Sequence, residues 1–241
     1  MFKVTVITLY PEAFPGPLGV SILARGQAAG LWQLDIVDLR EFGLGKHHKV
    51  DAPPAGGGPG LVLRADVVAA ALDSLPDDGR RVLYPSPRGK PFCQADARRF
   101  AKGDGLVVLC GRFEGLDERV IQSRGLEEVS LGDFVLAGGE VAAQAIIEAS
   151  VRLRPEVAGN QASLEEESFE NGLLEYPLYT APAIFEGQEI PDILRSGHHQ
   201  NIAKWRLSQS KELTEARRPD LYALYTLSKP HQTSEMDDDT D

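Results

Sequence analysis

Cysteine is scarce in this chain: Cys93 and Cys110 are the only two among 241 residues. Neither belongs to a CxxC pair or stands at zinc-ligand spacing from another thiol or a histidine, which argues against a disulfide framework and a thiolate metal centre. Four of the five histidines form adjacent pairs, His47 with His48 and His198 with His199. Two ligands on one helix face need a separation of three or four, so no metal-ligating residues are expected. Also missing are an apolar run of membrane-spanning length and a charged leader with a small-residue cleavage site. The expectation is a cytoplasmic protein with no membrane partner. Neither GxxxxGK[ST] nor GxGxxG occurs, so triphosphate and dinucleotide loops have little support.

What is present is enough apolar material for a full core, 42% of the residues, under a formal net charge of -11. Such a charge argues against an acidic polymer as partner until its distribution is considered. Glu235, Asp237, Asp238, Asp239 and Asp241 crowd the last residues, and without them the charge is -6. Between 195 and 218, six basic residues face only Glu212 and Glu215, a local balance of +4. A nucleic acid therefore stays among the candidate partners.

Strand-like and helix-like runs alternate over roughly the first 155 residues, the pattern of an α/β fold with a mostly parallel sheet flanked by helices. Strands are expected at 3–9, 34–39, 81–84, 106–109 and 128–131, and helices at 21–29, 65–75, 94–102, 117–123 and 140–152. Periodicity then vanishes in a polar, acidic stretch. The predicted organisation is a main domain over 1–157, a flexible linker over 158–172, a small, mostly helical C-terminal domain over 173–230 and a disordered acidic tail over 231–241. In the third part, prolines 177, 182 and 191 interrupt an irregular stretch, and helices follow at 200–216 and 221–227.

The richest segment is 109–140, which holds two glycine-punctuated turns, Cys110-Gly-Arg-Phe-Glu-Gly115 and Leu131-Gly-Asp-Phe-Val-Leu-Ala-Gly-Gly-Glu140. Each follows a strand-like run, where open α/β sheets hold their ligands. Tyr84-Pro-Ser-Pro-Arg-Gly89 adds a third, proline-stiffened turn after a strand. Glycines let backbone N–H and C=O groups reach a ligand without side-chain interference. Taken one at a time, these glycines also suit bulges and helix caps, and Gly56-Gly-Gly-Pro-Gly60 suits a surface turn as well as a phosphate cradle. Arg152 alone reads as a favourable charge at a helix C-terminus, and Glu165, Glu166 and Glu167 as a solvated acidic run.

Together, Tyr84-x-Ser-Pro-x-Gly89, Cys110-Gly-Arg-Phe-Glu-Gly-Leu-Asp-Glu-Arg-Val120, Ser130-Leu-Gly-Asp-Phe-Val-Leu-x-Gly-Gly-Glu140, Gly56-Gly-Gly-Pro-Gly60, Ser196-Gly-His198 and Trp205-Arg206 closely resemble the bacterial tRNA (guanine-N1)-methyltransferases of the SPOUT class. The resemblance spans nearly the whole chain except its tail. It implies S-adenosyl-L-methionine as cofactor, tRNA as substrate with methylation of N1 of the guanine at position 37 next to the anticodon, and a homodimer with the active site at the subunit interface. A C-terminal trefoil knot in the main domain and possible use of Mg2+ are implied by the resemblance alone. The implied cofactor walls are Tyr84, Pro85, Ser86 and Pro87, then Gly111 and Glu114, then Leu131, Gly132, Leu136, Gly138 and Gly139.

Guanine N1 carries a proton at neutral pH, so methylation needs a general base and a group to stabilise charge developing toward O6. Arg152 matches the family's arginine for the second role. For the first, the family places an aspartate just before Ser-Phe in the linker, whereas this chain has Glu167 there, with Glu166 as its nearest substitute. Ala55 stands where the family usually has tyrosine, and Ala142 where proline is common. Lys204, Arg206 and Lys211 are expected to supply phosphate contacts from one helix, above a buried Trp205. Two rival readings are a nucleotide-dependent oxidoreductase, opposed by the missing GxGxxG, and a non-catalytic RNA-binding protein, encouraged only by the glutamate at the base position.

Overall fold

Period-two alternation decides the main sheet. Phe2, Val4 and Val6 face one side of the first strand and Ile7 the other, so the strand is buried on both faces. The fold comes from a computed structural model that describes residues 1–159 and 166–228. Two compact units are distinguished, Met1–Gln161 and Ala162–Asp241. Of the expected linker, residues 160–165 lie outside the described residues, as does the whole acidic tail.

The first unit begins with β1 (Phe2–Thr8), α1 (Ser21–Ala28) and β2 (Trp32–Asp38), followed by the short β3 (Asp51–Ala52) and β4 (Val62–Leu63) and by α2 (Ala65–Asp73). It continues through β5 (Arg81–Pro91), α3 (Gln94–Ala101), β6 (Gly105–Leu109), α4 (Glu118–Ser123), β7 (Glu127–Ser130) and α5 (Glu140–Val151). Five strands form a sheet in the order β2-β1-β6-β5-β7, with every pair parallel. One face carries Leu83, Leu106, Val108 and Val129 against Phe100 of α3 and Ile146 and Ile147 of α5. The other carries Val107 and Leu109 against Val67 and Val68 of α2 and Val120 and Ile121 of α4.

All five strands and five helices expected in this unit are present. The third strand is longer than its predicted four residues because its pairing with β7 pauses and resumes. Pro85 and Lys90 both register with Val129, so residues 86–89 loop out of the ladder. Pro85 and Pro87 offer no N–H to a ladder, and Gly89 lets the backbones close again: a Cβ there would lie 2.3 Å from the Val129 nitrogen. The glycine-rich segment is the tip of an antiparallel β3–β4 hairpin, where Gly56, Gly57, Gly58 and Gly60 all have positive φ.

In the second unit a hairpin of β8 (Ile184–Phe185) and β9 (Gln188–Glu189) precedes α6 (Asp192–Arg195), α7 (His199–Arg217) and α8 (Pro219–Ser228). The hairpin and α6 occupy the stretch read as irregular, their two- and four-residue lengths being too short for periodicity to register. Trp205 is half-buried rather than buried, its ring 6.3 Å from that of Tyr179.

Trp32 anchors the first unit's core: it is 1% exposed, and its indole N–H donates to the Leu23 carbonyl at 2.9 Å. Replacing Trp32 with Ala is expected to lower unfolding free energy by about 3–5 kcal/mol, the usual cost of a lost core aromatic. Urea denaturation followed by far-ultraviolet circular dichroism measures it; a change below about 1 kcal/mol would contradict this packing.

Candidate active site

Parallel strands with helices on both faces leave one place for a small molecule, the crevice beyond their carboxyl ends. There, at the ends of β5, β6 and β7, lies a cavity of about 360 Å3. Tyr84, Pro85, Ser86 and Pro87 form its β5 wall. Gly111 and Glu114 line it from the turn after β6, and Leu131, Gly132, Leu136, Gly138 and Gly139 from the turn after β7. Thus the eleven residues singled out for cofactor binding surround one space.

Their glycines are explained by what crosses them. A Cβ on Gly111 would lie 2.7 Å from Cε2 of Tyr84, and one on Gly138 would lie 2.2 Å from Nε of Arg112. Gly115, at φ +111°, is also closed to a Cβ by the Tyr84 hydroxyl at 2.9 Å. Two of the turns are stitched together directly, by the Gly139 N–H donating to the Gly111 carbonyl at 2.9 Å and by a bridge between Arg112 and Gly138.

Behind this stitch sits a buried polar cluster. Glu140, 4% exposed at the start of α5, accepts from Thr8 Oγ1 at 2.8 Å and from Arg112 Nε at 3.1 Å. Its other oxygen is 2.9 Å from Arg112 Nη2. The same guanidinium lies 4.1 Å from the centre of the Tyr10 ring, a cation–π distance. At the opposite wall, Arg88 reaches Glu118 at 2.9 Å and Glu128 at 3.0 Å. Burial, and then the Glu128 charge, raise the pKa of the Tyr84 phenol, against the opposing pull of Arg88.

The two candidate catalytic residues are not among those lining this cavity. Arg152 caps the C-terminus of α5, half-buried. Glu167 belongs to the second unit, where it lines a separate cavity of about 580 Å3 with Glu166, Tyr176, His199 and Arg206. Glu165 lies outside the described residues, and Glu166 is no free solvated acid. It accepts from the Tyr176 hydroxyl at 2.7 Å and from Arg206 at 3.3 Å, while Arg206 stacks 4.6 Å from the Tyr176 ring. Burial, together with that hydrogen bond, pushes the Tyr176 phenol up to about 12. Arg206 is therefore held by Glu166, whereas Lys204 is exposed.

Arg88 and Ser130 also line the first cavity without having been singled out from the sequence, and Arg112, Phe134 and Val135 line it too, read there only as members of their turns. Arg112 was visible inside the first glycine turn, but its partner Glu140 lies 28 residues away and looked only like a helix start.

Cys110 is fully buried beneath the cavity, and burial followed by the Glu140 charge raises its thiol pKa well above normal, Arg112 acting against both. Cys93 is exposed. At pH 8 a disulfide reagent should titrate one thiol in the folded protein and two after denaturation. Two thiols reacting at equal rates under native conditions would contradict the burial of Cys110.

A family model described as tRNA (Guanine-1)-methyltransferase TrmD matches residues 2–224. A protein from Bartonella tribocorum named tRNA (guanine-N(1)-)-methyltransferase is 59% identical over 93% of this chain and 96% of its own. Proteins of the same name from Mesorhizobium japonicum and Cereibacter sphaeroides are 57% and 54% identical, covering 95% and 97% of this chain and 99% and 96% of theirs. With its motifs gathered around one cavity and a match along nearly its whole length, this chain belongs to the tRNA (guanine-1)-methyltransferase family.

Proposed function

We propose that the protein transfers a methyl group from S-adenosyl-L-methionine to N1 of the guanine at position 37 of tRNA, next to the anticodon, in the cytoplasm. The observation that carries this reading is the convergence of three turns on one cavity in a chain of this family. The cavity suits the cofactor. Its volume falls within the range of small-molecule sites, and backbone groups of the three turns, apart from the paired Gly139 N–H and Gly111 carbonyl, can meet an adenosine with both donors and acceptors. When bound, the cofactor supplies a methyl carbon activated by a sulfonium.

In this reading Glu167 would accept the N1 proton, freeing the N1 lone pair for the methyl carbon that the bound cofactor would supply. Arg152 donates to O6, where negative charge gathers. The backbone just after Glu167 is anchored: the Phe169 N–H donates to the Leu173 carbonyl at 2.8 Å, and Ser168 Oγ accepts from the Glu175 N–H at 3.0 Å. The exposed basic side chain of Lys204 supplies a phosphate contact. Among the described residues no three His, Cys, Asp or Glu side chains cluster to hold a metal, and none of the roles assigned here calls on magnesium.

A homodimer with the active site at the subunit interface belongs to the same proposal. Phe134 and Val135 line the cavity yet are 53% and 84% exposed in the single chain, an apolar rim suited to cover by a second copy. The trefoil knot in the main domain belongs to the same proposal and rests on the family match.

Incubation with labelled cofactor and an unmodified tRNA transcript, followed by nucleoside digestion, should yield 1-methylguanosine. Glu167→Gln should lower that rate by about 10²–10⁴-fold, the usual contribution of a general base, with cofactor affinity unchanged. Full activity in Glu167→Gln, with loss in Glu166→Gln, would move the base to the neighbouring residue.

A further inference from the structure

The cofactor cavity carries a charge problem. A sulfonium is a cation, yet two guanidinium groups, those of Arg88 and Arg112, line the space that would receive it. Arg88 is held at the surface, its side chain 60% exposed and paired with Glu118 and Glu128, so water and two carboxylates screen it. Arg112 is different: its side chain is 24% exposed, and the carboxylate that meets it, Glu140, is 5% exposed. Both Glu140 oxygens are turned toward Arg112, one also accepting from Thr8.

We infer that Glu140 is a positioning residue that sets the charge of the cavity wall and thereby favours the cationic S-adenosyl-L-methionine over its neutral thioether product, S-adenosyl-L-homocysteine. With Glu140 in place, the charges of Arg112 and Glu140 cancel, leaving Glu114 as the remaining carboxylate lining the cavity. Without it, the Arg112 charge stands against the sulfonium on a side chain only 24% exposed, where screening by water is weak. The pair also fixes geometry. Arg112 passes so close to Gly138 that no Cβ fits between them, and Nη1 approaches the Ala137 carbonyl at 3.4 Å. The guanidinium therefore cannot swing away from the cavity without moving the turn after β7.

The inference rests on the cofactor reading above. Titration calorimetry of the whole protein with each of the two ligands tests it, because methyl donor and thioether product differ at sulfur by one methyl and one charge. Glu140→Gln keeps the side chain's shape and can still accept through its amide oxygen while removing the charge. It should weaken binding of the methyl donor about tenfold relative to the product, as expected for a unit charge roughly 10 Å away at an effective dielectric near 20. Arg112→Met should shift the preference the opposite way, and the double variant should restore the wild-type ratio to within about twofold.

Equal weakening of both ligands in Glu140→Gln would reduce the pair to scaffolding and overturn the inference. A buried guanidinium left without its carboxylate costs stability; if that variant does not fold, Arg112→Met decides, and an unchanged or product-favouring ratio overturns the idea. Failure of the wild-type protein to bind either ligand would instead defeat the cofactor reading itself.

Discussion

Everything at the candidate site follows from a strand that has no exposed face. All five residues of β6 are buried, with Leu106 and Val108 committed to one helical layer and Val107 and Leu109 to the other. Such a strand can meet a ligand only at its end, and its carboxyl end is where Cys110 turns into Gly111. Its neighbour β5 carries Leu83 into one layer and Tyr84 into the other, then meets the same limit. The cavity is the gap left where the sheet's alternation stops and three chains turn away together.

The tilt of charge in this protein matters less than its local pairing. A chain with net charge -11 looks unsuited to a polyanion, but five carboxylates crowd 235–241 while 195–218 carries a local +4, and several of the other carboxylates are held by arginines. Glu140 meets Arg112, Glu118 and Glu128 meet Arg88, and Glu166 meets Arg206. The last pair lies beside Glu167, so the candidate base adjoins a carboxylate already engaged by Tyr176 and Arg206. Both glutamates line the second unit's cavity, and Glu166 is tied there to the Arg206 guanidinium.

Much of this architecture was legible in the sequence because it depends on local pattern. Period two in Phe2-Lys-Val-Thr-Val and the glycines after Leu109 and Leu131 announce strands and the turns beyond them. The residues around the cavity were readable for the same reason: they sit inside contiguous motifs. What stayed hidden depends on partners far apart in the chain. Nothing local about Glu140 predicts that Thr8, 132 residues earlier, will donate to it, nor does the Gly56–Gly60 run reveal that Glu114 will lie across its end. The four residues looped out at 86–89 were equally silent, since their geometry is set by a register with β7 that no short window contains.

The glycines that let side chains cross the turns have an evolutionary consequence. Gly111 is filled by Tyr84 and Gly138 by Arg112, the latter at 2.2 Å from where a Cβ would be placed. At each crossing one partner must shrink before the other can grow, so isolated substitutions are blocked while matched double changes are open. The pocket is accordingly expected to drift among descendants by correlated exchanges between distant positions, leaving its outline intact while its lining varies in pairs.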